Sequence, residues 1–125
     1  MYILEFLGRI FLSALFLIAG TNKIIYFDGT IDYMESFNLL GYLAIPAILI
    51  EILFPLLIIL GYKTKISSLI MAVFTIALAI IFHTDFANQM QLMSFLKNFA
   101  IAGGFMIIFV NGPGKYSIDY QFEKK

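Results

Sequence analysis

Four apolar runs, at residues 3–25, 42–60, 66–82 and 93–110, divide this 125-residue chain into segments of membrane-crossing length. An α-helix needs about 20 mostly apolar residues to cross roughly 30 Å of hydrocarbon. The third run is the shortest, but it carries no charge, and at about 1.5 Å per residue it crosses with slight local thinning of the bilayer. The runs use up most of the chain, so no separate soluble domain fits beside them. Hydrophobic residues make up 62% of the sequence and charged residues 13%, against about 25% charge in a soluble domain. A soluble fold this short has no interior able to hide that much apolar surface. The expected fold is all-α: an integral-membrane four-helix bundle, one domain over residues 1–125, with the lipid bilayer as its solvent.

What is missing narrows the chemistry. Net charge is zero at pH 7 and no basic tract occurs, so nucleic acid is not an expected partner. Cysteine is absent, which excludes disulfides, thiol relays, Fe–S ligation and cysteine-based zinc sites. With His83 the single histidine, neither a metal site nor a haem site built from this chain alone is expected, and no intrinsic cofactor. The opening Met1-Tyr2-Ile3-Leu4-Glu5 has no basic stretch and no Ala-x-Ala cleavage signal follows, so the first run reads as a retained span.

Between the first two spans, residues 26–40 mix Asp28, Asp32 and Glu35 with Ile31, Met34 and Phe37 at three-residue spacing. Asp28-Gly29-Thr30 reads as a turn and a cap. The pattern predicts a short amphipathic helix lying on the membrane or folding over the bundle. In the second span, Pro46 falls near the first turn, where proline is tolerated. Pro55 is interior, and its ring displaces the carbonyl of Glu51 four residues back, so a kink is expected there. Gly8, Ser13, Ala14 and Gly20 in span 1, and Gly103-Gly104 in span 4, are small enough to admit a neighbouring helix. Lys97-Asn98 fall in the first turns of span 4. Gly112-Pro113-Gly114 ends that span, and a polar tail follows from Lys115.

Four spans place both termini on one side, with Lys63, Lys65, Lys115, Lys124 and Lys125. The other side has Lys23 and Lys97 beside Asp28, Asp32, Glu35 and Asp85. The positive-inside rule makes both termini cytoplasmic in a bacterial inner membrane.

Two charges lie at membrane depth: Arg9 in span 1 and Glu51 in span 2. Each costs at least about 2.5–3.5 kcal/mol at the bilayer centre unless it meets a partner or a cavity. Counted from the span edges, their heights differ by roughly 5–7 Å, which an arginine bridges. The pair is expected to meet. It then either fixes helix register or lines a polar pocket that binds a head group or handles protons. A second candidate site gathers Asn22, Lys23, His83, Asp85, Lys97 and Asn98 near the opposite face. With Tyr26 and Phe82 these side chains suit a quinone carbonyl or a small oxyanion; the alternative is interfacial anchoring by snorkelling lysines.

Several short motifs recur in one order. Gly8-Arg9 and Gly20-Thr21-Asn22-Lys23 in span 1 are followed by Glu51, then by Gly61-Tyr62-Lys63-Thr64-Lys65, and finally by Asn111-Gly112-Pro113-Gly114-Lys115-Tyr116-Ser117-Ile118-Asp119. In this the chain resembles the DoxX family of small four-helix bacterial membrane proteins over essentially its whole length. Lys65 stands where the family often has arginine, which bears on topology rather than chemistry. The resemblance implies the four-helix fold. It also implies a redox-associated role, since relatives include a membrane subunit of a thiosulfate:quinone oxidoreductase. Fold transfers more securely than function. Two readings follow: a quinone-linked, non-catalytic subunit that offers a pocket or dock to a soluble or membrane redox partner, or a non-enzymatic scaffold, assembly factor or small-solute carrier, with a homo-oligomer favouring the carrier.

Overall fold

The computed structural model describes residues 2–124. Among these residues there are six α-helices and no strand: α1 (Tyr2–Ile25), α2 (Phe27–Glu35), α3 (Ala44–Leu60), α4 (Thr64–Phe82), α5 (Gln89–Asn111) and α6 (Ile118–Lys124). A single 3₁₀ turn, Gly41–Leu43, leads into α3. Four helical segments are long and apolar enough to cross a membrane: Ile3–Ile25, Gly41–Leu60, Thr64–Phe82 and Gln89–Asn111. They run up, down, up and down, so α1 begins and α5 ends at the same end of the bundle. The strongest packing is of α4 on α5 and of α1 on α3, while the backbones of α1 and α5 approach each other at few positions.

The inward stripes explain this arrangement. On α1, Arg9, Ser13, Phe16 and Gly20 are buried, at four- and three-residue steps, and Lys23 continues the row half-buried. On α3 the buried row is Ala44, Ile48, Glu51, Pro55 and Ile58, with the same alternation. Such a seam matches the packing of nearly antiparallel helices. Large apolar side chains such as Phe11, Ile18, Leu49, Val73 and Ile107 point outward, whereas Ser13, Ser67, Ser68 and Thr75 are buried. A soluble core has the reverse distribution; a bundle solvated by lipid packs small polar residues between its helices. Phe16 and Phe105 meet in the core with ring centroids 5.8 Å apart, beside Ile58 and Met71.

Three local expectations change. The fourth helix begins at Gln89, because Asn88 Oδ1 accepts from the N–H groups of Met90 and Gln91 and caps it. This places Lys97 two turns inside α5. Asp28-Gly29-Thr30 is not a turn but part of α2; Asp28 sits in its first turn, where the helix dipole favours a negative charge. The polar tail folds into α6, whose Ser117 Oγ accepts from Tyr120 N–H.

Gly20 and Gly104 do admit a neighbour. A Cβ at Gly20 would stand 2.8 Å from Ile52 Cγ1, and one at Gly104 would stand 3.1 Å from Leu12 Cδ1. Gly8 and Gly103 do not, since a Cβ at either meets nothing within 4 Å.

Candidate functional site

Arg9 and Glu51 do not meet. Arg9 is only 1% exposed, yet its partners are carbonyls: Nη1 donates to Ile58 O at 2.9 Å and to Ile59 O at 3.4 Å, and Nη2 donates to Tyr116 O. The last carbonyls of a helix have no intrahelical donor and carry the negative end of its dipole. The guanidinium therefore settles at the C-terminus of α3, also 5.2 Å from the Phe6 ring centroid. Glu51 lies seven residues earlier on α3, about 10 Å along the axis, which is too far for the same side chain. Depth counted from the ends of the apolar runs set the two within roughly 5–7 Å of each other in height, inside an arginine's reach. The antiparallel register instead pairs Arg9 with Ile58 and brings Glu51 to the level of Gly20.

Glu51 pairs with Lys23, whose Nζ lies 2.7 Å from both carboxylate oxygens. The Lys23 side chain is 34% exposed and that of Glu51 2%. Lys23 thus bends inward to a buried carboxylate rather than outward to the headgroups. The absence of a side chain at Gly20 makes this pairing accessible, because it lets α3 approach α1 beside Glu51.

The ion pair borders an apolar cavity of about 350 Å³. Lys23, Glu51, His83 and Asn98 line it, from four different parts of the chain. Asn22 does not; it lines a shallow outer depression with Tyr26 and Gly29. Lys97 and Asp85 are exposed and do not line the cavity. Four of the residues predicted to act chemically therefore come together, in a grouping that crosses the two clusters expected from sequence: Glu51 joins the outer set, and Arg9 stays at the other end.

The roof of the cavity comes from α2. Thr30, Tyr33 and Met34 line it, and Met34 is buried. Tyr33 stacks on Phe82 at 5.3 Å between centroids, and Phe37 packs edge-on to Phe82 at 4.9 Å. These roof residues were absent from the sequence-based site, although the three-residue spacing of Ile31, Met34 and Phe37 marks the inward face of the helix that holds them.

His83 Nδ1 lies 2.9 Å from Gln91 Oε1. The amide oxygen only accepts, so Nδ1 donates and a neutral ring keeps Nε2 as an acceptor. Asn98 Nδ2 donates to Thr75 O at 3.5 Å. The cavity therefore offers an ammonium, a carboxylate, an imidazole and an amide at the edge of a mostly apolar volume. That set can hydrogen-bond a polar ring or head group and hold a proton, while the walls of Leu15, Phe16, Ile48 and Phe74 take an apolar body. Among the described residues no group of three or more His, Cys, Asp or Glu side chains is placed to hold a metal ion.

The comparisons agree with this architecture. Residues 4–84 match the DoxX family model. The chain is 39% identical over 118 residues to the inner membrane protein YqjF of Escherichia coli strain K12, covering 94% of this chain and 91% of that protein. It is 33% identical over 124 residues to the inner membrane protein YphA of the same organism, covering 94% of this chain and 89% of that one. No solved structure matches. With the family model covering more than half of the chain and both relatives aligned over nearly all of it, this protein belongs to the DoxX family.

Proposed function

We propose that this chain is an inner-membrane protein, both termini cytoplasmic, that binds a quinone head group in the Lys23–Glu51 cavity and serves as the non-catalytic membrane subunit of a quinone-linked redox partner. One observation carries the reading: an apolar cavity in a membrane bundle ends in a buried carboxylate paired with a half-buried lysine, and in a histidine. A quinone has the complementary shape, with two carbonyl acceptors on a ring and an apolar tail. Lys23 and Asn98 donate to a carbonyl; His83 Nε2 accepts from a quinol hydroxyl; the Glu51 carboxylate holds a proton. Electrons come from the partner, because the reading assigns the chain no redox centre. The inner-membrane setting rests on the two Escherichia coli relatives, and the orientation on the lysines near Gly61 and in the C-terminal segment.

The test is equilibrium binding of a short-chain ubiquinone and a menaquinone analogue to the purified protein, wild type against Glu51→Gln and Lys23→Gln. Saturable binding by wild type, weakened in both variants, is the expected result; no saturable binding by wild type overturns the proposal.

A second reading, a small-solute carrier, is favoured by one feature. Lys23, Thr30 and Tyr33 line both the cavity and the open outer depression of about 430 Å³, so the lysine of the ion pair borders two adjoining spaces. Copurification separates the two: a stable complex with a second protein favours the subunit, a homo-oligomer the carrier.

A further inference from the structure

We infer that the opposite end of the bundle carries a lipid site, specific for one aminophospholipid, between α1 and α5. The weak contact between these helices leaves a groove of about 340 Å³. Leu4, Gly8, Leu12, Gly104, Ile107 and Ile108 line it. From Leu4 to Leu12 it extends about 12 Å along α1, most of the roughly 15 Å hydrocarbon depth of one leaflet.

The groove opens into a recess of about 410 Å³ at the Gly112-Pro113-Gly114 turn, and Glu5, Asn111, Gly112 and Pro113 line both. The recess is polar and holds Glu5, Lys65 and Lys115. Glu5 lies against the turn, since a Cβ at Gly114 would stand 2.7 Å from its Oε2. The Lys65 stem lies over the same turn, its Cε 3.6 Å from a Cβ built on Gly112. Arg9 lines the groove as well, is 1% exposed, and has no hydrogen-bond partner at Nε.

An apolar channel continuous with a recess of mixed charge selects a molecule built the same way. One acyl chain fills the groove. The phosphodiester sits against the ammonium of Lys65, whose stem lies over the turn and which attracts phosphate as a point charge. The carboxylate of Glu5 chooses the rest of the head group, because it attracts a primary ammonium more strongly than a neutral hydroxyl. A zwitterionic amine lipid satisfies both signs, whereas the neutral glycerol of an anionic glycerol lipid brings no positive charge to Glu5. The inference does not depend on the quinone cavity, which lies at the far end of the bundle.

Native mass spectrometry of the full chain in detergent, with added phosphatidylethanolamine or phosphatidylglycerol of matched acyl chains, tests it. Wild type is expected to retain phosphatidylethanolamine preferentially. Lys65→Ala weakens retention about fivefold. Glu5→Gln removes the preference between the two lipids. Gly8→Phe fills the groove and abolishes retention, and its melting temperature, unchanged from wild type, shows that the fold is kept. Equal or better retention of phosphatidylglycerol by wild type, or wild-type retention by folded Gly8→Phe, overturns the site.

Discussion

Replacing Lys23 by methionine strands the Glu51 carboxylate inside the bundle, and the damage is expected to exceed that of removing the carboxylate itself. Breaking one side of a buried ion pair costs about 3 kcal/mol or more, because the remaining charge has no compensation. Thermal unfolding in detergent should therefore rank wild type above Glu51→Gln and Glu51→Gln above Lys23→Met. The double variant Lys23→Met/Glu51→Leu should recover most of the loss. Gly61 supplies a second residue-scale prediction. It ends α3 at φ 74°, a left-handed conformation in which a side chain costs about 1–2 kcal/mol. A Cβ there would also press on Ser117 and on Arg9 Nη1. Gly61→Ala should lower the melting temperature clearly, while Gly8→Ala should leave it nearly unchanged. The sequence identified both deep charges and the lysine that answers one of them, but it misassigned the pairing. Arg9 and Glu51 attract attention as an oppositely charged pair. What decides between them is the row Arg9, Ser13, Phe16, Gly20, Lys23 set antiparallel to Ala44, Ile48, Glu51, Pro55, Ile58, which puts backbone carbonyls opposite the arginine and the carboxylate within reach of the lysine. The carbonyl partners are invisible to composition, because every residue has one.

The helices are held by caps that come from unequal distances. Asn88 caps α5 from the adjacent position, and Asn88→Ala should cost about 1 kcal/mol. The first N–H groups of α4 are capped from far along the chain. Asp119 Oδ1 accepts from Lys63 N–H and Oδ2 from Thr64 N–H, each at 2.8 Å, and Asp119 N–H donates to Gly61 O at 2.8 Å. Asp119→Ala should destabilise by about the same 1 kcal/mol or more, since it also loosens α6 from the α3–α4 turn. The long helices were readable because each is an apolar run bounded by glycine, proline or polar residues. The caps were less so. Asn88 is a strong capping residue, but it sits among other polar side chains that resemble a loop, and Asp119 acts on residues more than fifty positions away. Helix α2 differs from the spans. Met34 is its one buried residue among those described, and its contacts with the bundle are few. Its amides should exchange with deuterium well before those in the middle of α3 and α4, and a ligand in the cavity below should slow them.

At the scale of the molecule, the up-down-up-down course assigns every loop to one of two ends, and the lack of cysteine makes this simple to check. Single substitutions Tyr62→Cys and Tyr116→Cys should react with a membrane-impermeant maleimide from one side of the bilayer, and Asn38→Cys and Asp85→Cys from the other. Under the orientation proposed above, the second pair labels in intact cells and the first only after the membrane is opened. The clasp of Asp119 on the start of α4 has a consequence in time. Thr64 is made 55 residues before the carboxylate that caps it. At about 5–20 residues per second, translation leaves the α3–α4 turn waiting roughly 3–11 s for its clasp. All four spans are therefore available to the insertion machinery before the bundle can lock at this end, so locking waits for Asp119 rather than following the order in which the helices enter the bilayer.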